Sequence, residues 1–134
     1  MYTVRDLLVK EHREIERNLD ELEMIMHQMN PNLPNLLHTL RKIGPMWDQH
    51  EEKENIFFHE LSKKGFPIPV KRISFEHGKL KQYREALLKA LESGSQDKTK
   101  DTLLHQGKEL INKLRKHIKD EDWIFYALPK TKQI

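Results

Sequence analysis

Two stretches of the sequence carry a histidine and a glutamate four residues apart, His50 with Glu54 and His117 with Glu121. Each is preceded by a lone histidine, His12 and His77. On a helix, this spacing puts both side chains of a pair on one face, a turn apart. Imidazole and carboxylate together suit a borderline or hard divalent cation such as iron, manganese or zinc. Two carboxylates set between two imidazole pairs are arranged to bridge a pair of ions, as in carboxylate sites at the centre of helical bundles. The chain has no cysteine, which excludes disulfides, thiolate catalysis and every Cys-ligated zinc or iron–sulfur site.

These groups must be positioned by a small body. The 134 residues suffice for one domain, and only 37% are apolar while 34% are charged. That apolar share is below the usual globular value, so the source of a core needs explaining. The 24 Lys and Arg against 21 Asp and Glu leave a formal charge of +3, spread through the chain without a long basic block. No nucleic-acid footprint or binding module is present. No apolar run approaches bilayer length, and Met1 to Lys10 contains no signal-peptide core. With the absence of cysteine, this fits a cytoplasmic protein that acts on neither nucleic acid nor membrane.

Turn-forming residues divide the chain into four segments. The breaks fall at Asn30, Pro31 and Pro34, at Gly65 to Pro69, at Ser93 to Ser95, and at Pro129. No segment alternates as a strand would. Leu8, Ile15, Leu19, Leu22, Met26 and Met29 step by threes and fours in the first. Leu36, Leu40, Ile43, Trp47, Phe57 and Leu61 do so in the second. Val70, Ile73, Leu80, Leu87 and Leu91 mark the third, where Arg84 interrupts and Tyr83 is placed to cover the gap. Leu103, Gly107, Leu110, Leu114, Ile124 and Leu128 mark the fourth. This periodicity gives each helix one apolar face. It predicts an all-α, antiparallel up-down-up-down four-helix bundle in a single domain, 1–134, with helices over about 4–29, 34–64, 69–92 and 97–128. Pro45, after Gly44, is expected to kink the second helix or start it afresh.

The stripes lack leucines at six places, which are occupied by His12, His50, Glu54, His77, His117 and Glu121. A single histidine on an apolar face is most often a hydrogen-bonded core residue. Two inward carboxylates are harder to dismiss, because a buried unpaired glutamate is costly and a bundle core offers few donors. Counting from each turn at about 1.5 Å rise per residue, the six fall in neighbouring layers and can converge on one level. The segments also repeat. Glu11-His12 with Ile15 matches Glu76-His77 with Leu80. His50 and Glu54 with Phe57, Phe58 and Leu61 match His117 and Glu121 with Ile124, Phe125 and Leu128. The chain reads as two related hairpins about a pseudo-twofold axis, each half bringing two histidines and a glutamate.

These elements resemble the hemerythrin-like, or HHE cation-binding, domain family. The matching pieces are Glu11-His12, His50 to Phe58, Glu76-His77 and His117 to Phe125, within a likeness running from about Val4 to Leu128. The resemblance implies a bundle holding a non-haem diiron centre. His12 and His50 would hold one iron and His77 and His117 the other. Glu54 and Glu121 would bridge them together with an oxo or hydroxo group, and manganese or zinc are alternative ions. Oxygen-carrying members have a further histidine one turn before the third-helix ligand, where this chain has Ile73. Glu51, beside His50, matches an extra carboxylate in the iron-sensing hemerythrin-like domain of a ubiquitin-ligase subunit. It is either a seventh ligand or a solvated helix residue.

The expected function is a diiron protein that binds or senses dioxygen, nitric oxide or iron, with dioxygen, another diatomic or peroxide as its small partner. Two other classes compete. One is a diiron redox enzyme of peroxide, nitric oxide or iron-centre repair chemistry, which would need an external reductant. The other is a regulatory or interaction bundle with a structural metal. The sequence assigns no protein partner or oligomeric state. Trp47, Phe57, Phe58, Trp123, Ile124 and Phe125 are expected to form a dry shell, and Tyr83 is a candidate hydrogen-bonding or oxidisable residue. Glu11 and Glu76 can back the histidines or face water. His27, His38, His59 and His105 are expected on the surface.

Overall fold

The computed structural model describes residues 3–28, 32–93 and 100–128. It contains four helices, α1 (Val4–Met26), α2 (Leu33–Lys63), α3 (Val70–Glu92) and α4 (Lys100–Ala127). Among the described residues each helix packs its backbone closely on two neighbours, in the cyclic order α1, α2, α3, α4, while the stacked Phe58 and Phe125 rings meet across the α2–α4 diagonal. This is the up-down-up-down bundle. Met29, Asn30, Pro31, Gly94, Ser95 and Pro129 lie outside the described residues.

Local chemistry sets the helix ends. Thr3 caps α1 through a reciprocal box, its side chain accepting from Asp6 N–H while the Asp6 carboxylate accepts from Thr3 N–H. The first helix ends at Met26, with His27 as its C-terminal cap, a turn short of the stripe's end at Met29. Asn32 caps α2 by accepting from Asn35 N–H, and Pro34 sits in the first turn. Pro34 therefore starts a helix, because its missing N–H is an orphan there in any case. The α2 terminus closes on Gly65 at φ 95. Gly65 N–H reaches the Ser62 carbonyl and Phe66 N–H reaches that of Leu61. This left-handed stop favours glycine and turns Phe66 back onto the core. Pro45 lies inside one continuous helix, so α2 does not restart there.

The core is split into two. One apolar cluster runs from Ile15 and Trp47 through Leu80 and Ile118 toward the Met26 end. The other gathers Leu8, Phe57, Phe58, Leu61, Ile73, Phe125 and Leu128. The six histidines and glutamates fill the gap between them, all at 6% exposure or less. Gly107 allows the tightest approach in the larger cluster, since a Cβ there would sit 2.7 Å from Met26 Sδ.

Three side chains depart from the stripes. Arg84 points inward at 3% exposure and Tyr83 is 44% exposed, so Tyr83 does not cover the gap. The Arg84 guanidinium lies over the Trp47 ring and bonds Asp48 at 2.8 Å. Trp123 is 69% exposed and lies outside the dry shell, while Phe125 is fully buried and Ile124 half-buried. A one-residue step on a helix turns a side chain by about 100°, which decides among adjacent apolar residues. Because Asp48 remains solvated, Arg84→Leu is expected to shift the folding free energy by at most about 1–2 kcal/mol in either direction. Denaturant titration reads this; a loss above about 4 kcal/mol would mean that a buried charge is left without its partner.

Candidate metal centre

Each helix contributes from the turn that lies between the two apolar clusters. Helix α1 supplies His12, α2 supplies His50 and Glu54, α3 supplies His77, and α4 supplies His117 and Glu121. The rings pair as the repeat predicts. His12 and His50 have centroids 4.7 Å apart, and His77 and His117 have centroids 4.8 Å apart.

The glutamates span the two pairs. Glu54 Oε2 lies 2.9 Å from His12 Nε2 and 3.2 Å from His50 Nε2, while its Oε1 lies 3.3 Å from His77 Nε2. Glu121 mirrors this. Its Oε2 is 3.0 Å from the Nε2 atoms of both His77 and His117, and its Oε1 is 3.2 Å from His12 Nε2. Each carboxylate thus presents one oxygen to either half. Two overlapping groups result, His12, His50, Glu54 and Glu121 on one side and Glu54, His77, His117 and Glu121 on the other. Within each group the donor atoms lie within 4.8 Å of one another.

The outward nitrogens fix the rings. His12 Nδ1 faces Asp122 Oδ1 at 2.8 Å, and His50 Nδ1 faces Glu11 Oε1 at 2.9 Å. His77 Nδ1 faces Asn55 Oδ1 at 2.9 Å, and His117 Nδ1 faces Glu76 Oε2 at 2.9 Å. In each case the ring N–H donates outward to an oxygen, which leaves the Nε2 lone pair for the interior. Glu11 and Glu76 are therefore acceptors, each backing the histidine of the following helix and not its own neighbour. Asp122 and Asn55 were missed. Both directly follow the inward glutamates, and that repeated position is the signal that marks them. Asp122 also pairs with Arg13, and Glu11 pairs with Lys53 at 2.7 Å.

Burial alone would discharge these groups. It opposes charge on His12 and His77, but hydrogen bonds outweigh it. Asp122, Glu121 and Glu54 push His12 up to about 11, and Glu121 and Glu54 push His77 up to about 10. His117 is likewise raised, its burial outweighed chiefly by Glu121. Burial raises Glu54, yet contacts from His12, His50 and His77 carry it well below the ordinary carboxylate value. Glu121 is also lowered, with His117, His12 and His77 outweighing burial and the repulsion of Glu54. Without a cation, protons on imidazole compensate the carboxylates.

The donor set fits a pair of divalent ions. His50 Nε2, His117 Nε2 and Glu54 Oε1 are buried without a well-aligned hydrogen bond, as atoms aimed at cations would be. Glu51 stands apart from both groups of converging donors. It is half-buried, and burial pushes its carboxyl up to about 7 although His77 and His117 pull it down. It lines a small cavity of about 10 Å³ within the layer, bordered by His12, His50, Glu54, His117 and Glu121 and covered by Ile15, Trp47, Leu114 and Ile118. That is room for about one water-sized molecule. His27, His38, His59 and His105 are all exposed. No helix among the described residues is long and apolar enough to cross a membrane.

No curated protein and no solved structure gives a match. The family model for the hemerythrin HHE cation binding domain matches residues 3–128, a span that contains all four helices and every residue of the buried layer. The chain belongs to the hemerythrin HHE cation-binding domain family.

Proposed function

We propose that the chain holds two iron ions and binds or senses dioxygen, nitric oxide or iron itself. The observation that carries this reading is the spanning of both histidine pairs by Glu54 and Glu121, one oxygen to each side. His12 and His50 would hold one ion and His77 and His117 the other, with Glu51 as an added carboxylate beside the second. Imidazole and carboxylate donors also accept manganese or zinc. Iron would supply the electrons for binding or reducing a dioxygen-type ligand.

The chain's own groups do the rest. Outward hydrogen bonds at Nδ1 hold each ring in the tautomer that ligates. Protons held at His12 and His77 are displaced on loading. Phe58 and Phe125, both fully buried, keep bulk water from one side of the layer. Anaerobic reconstitution with ferrous iron, followed by dioxygen or nitric oxide, tests this. A new charge-transfer absorption on addition of either gas is expected. Bound iron that responds to neither would rule out the gas-binding reading.

A further inference from the structure

The two halves of the site are not equal. The pseudo-twofold relation holds through the ligands and through Glu11 and Glu76, which back His50 and His117 alike at 2.9 Å. Among the groups that back the histidines it breaks at one pair of equivalent positions. His12 is backed by the carboxylate of Asp122, and His77 is backed by the neutral amide of Asn55. An amide oxygen orients the ring as well as a carboxylate does, but it adds no negative charge and so makes the imidazole a poorer donor to a cation.

Access differs in the same sense. His77 and His117 each form part of the wall of a surface groove, one between α2 and α3 and one between α3 and α4. His12 and His50 line neither of these grooves and border, with His117, the small interior cavity. The backing carboxylates follow suit. Glu76 has a side chain 38% exposed, against 18% for Glu11 and 12% for Asp122. Glu51 lines both the α2–α3 groove and the interior cavity. It is a carboxylate able to meet an ion from the groove side.

Resting on the two-ion reading above, we infer that the ion positions are inequivalent. The His12/His50 position holds a resident divalent cation, and the His77/His117 position holds an exchangeable one. As free metal falls, the second position empties first and the chain passes through a one-ion state. Occupancy of the groove-facing position then reports metal availability, which narrows the sensing function to the divalent cation itself. Asn55 is a positioning residue that sets this difference. Glu51 acts in the opposite direction, lending the second position a charge that Asn55 withholds.

Anaerobic titration of the metal-free protein with cobalt(II), followed by absorption, tests the inference. Two steps separated by at least about tenfold in affinity are expected. His77→Ala should abolish the weaker step and keep the tighter one. Asn55→Asp should tighten the weaker step by about 10-fold and leave the tighter unchanged, drawing the two together. Asp122→Asn should loosen the tighter step by about 10–100-fold, which gives an independent reading on the other half. A chelator should strip one ion from the wild-type protein well before the other. A single step for both ions, or loss of the tighter step in His77→Ala, would overturn the inequivalence, and no response to Asn55→Asp would overturn the role of Asn55, each while leaving two-ion binding intact. Failure of the wild-type protein to bind any ion would overturn both.

Discussion

Glu54→Ala is expected to weaken both ions at once, although it removes a single carboxylate. Glu54 Oε2 faces the His12/His50 pair and its Oε1 faces His77, so neither position keeps its full donor set. The loss should exceed the roughly 10–100-fold that follows removal of a residue that only orients a ligand. Near-stoichiometric metal should then leave the variant essentially unloaded. Glu121→Ala should behave alike, since its two oxygens are shared in the mirror sense. Glu51→Gln is the contrast: Glu51 lies outside both groups of converging donors, and its loss should touch only the second position. Equilibrium dialysis with elemental analysis separates these patterns. Loss of one ion with full retention of the other in Glu54→Ala would mean that the carboxylate does not span the pair.

The second large effect is on stability, because the metal competes with protons for the same buried groups. An ion that binds only the folded chain stabilises it by about 4 kcal/mol per site at a thousand times its dissociation constant. Two such ions should raise the melting temperature by upwards of about 15 °C. The gap between loaded and metal-free protein should widen with pH. In the metal-free chain His12 and His77 are raised from 6.5 to about 11 and about 10. Their contribution is therefore complete below pH 6.5 and is lost as the pH climbs toward those values. Glu54 and Glu121 are lowered from 4.5. Their contribution is present above pH 4.5 and is lost in stronger acid. Metal-free protein should thus be most stable between these two ordinary values and should soften from pH 6.5 to 9. The loaded protein has already released the protons and should not follow. Thermal melts with and without chelator at pH 6 and pH 9 check this; a metal-free melting temperature that rises across that interval would contradict it.

Much of the fold was legible because the 3–4 spacing reports which face of a helix is buried, and the missing leucines were visible against it. His12, His50, Glu54, His77, His117 and Glu121 all lie in the layer that their spacing implied. What spacing could not supply was the reach of a side chain across helices. Glu11 and Glu76 were visible as neighbours of histidines, but each bonds the histidine of the next helix. Asp122 and Asn55 sit one residue past the inward glutamates, at the edge of the buried face, and their partners are 110 and 22 residues away. Arg84 looked like a break in an apolar stripe, yet the Trp47 ring and Asp48 give its guanidinium a place inside. The exposed Trp123 shows the complementary limit: in a run of apolar residues, composition does not choose which one turns inward.

The most direct test of a two-ion centre is anomalous diffraction from crystals of the metal-loaded protein. Two peaks are predicted between Glu54 and Glu121, one within about 2.0–2.2 Å of Nε2 of His12 and His50 and the other equally close to Nε2 of His77 and His117. A fully loaded crystal with its metal elsewhere, on exposed histidines such as His59 or His105 with the buried layer holding none, would contradict the account.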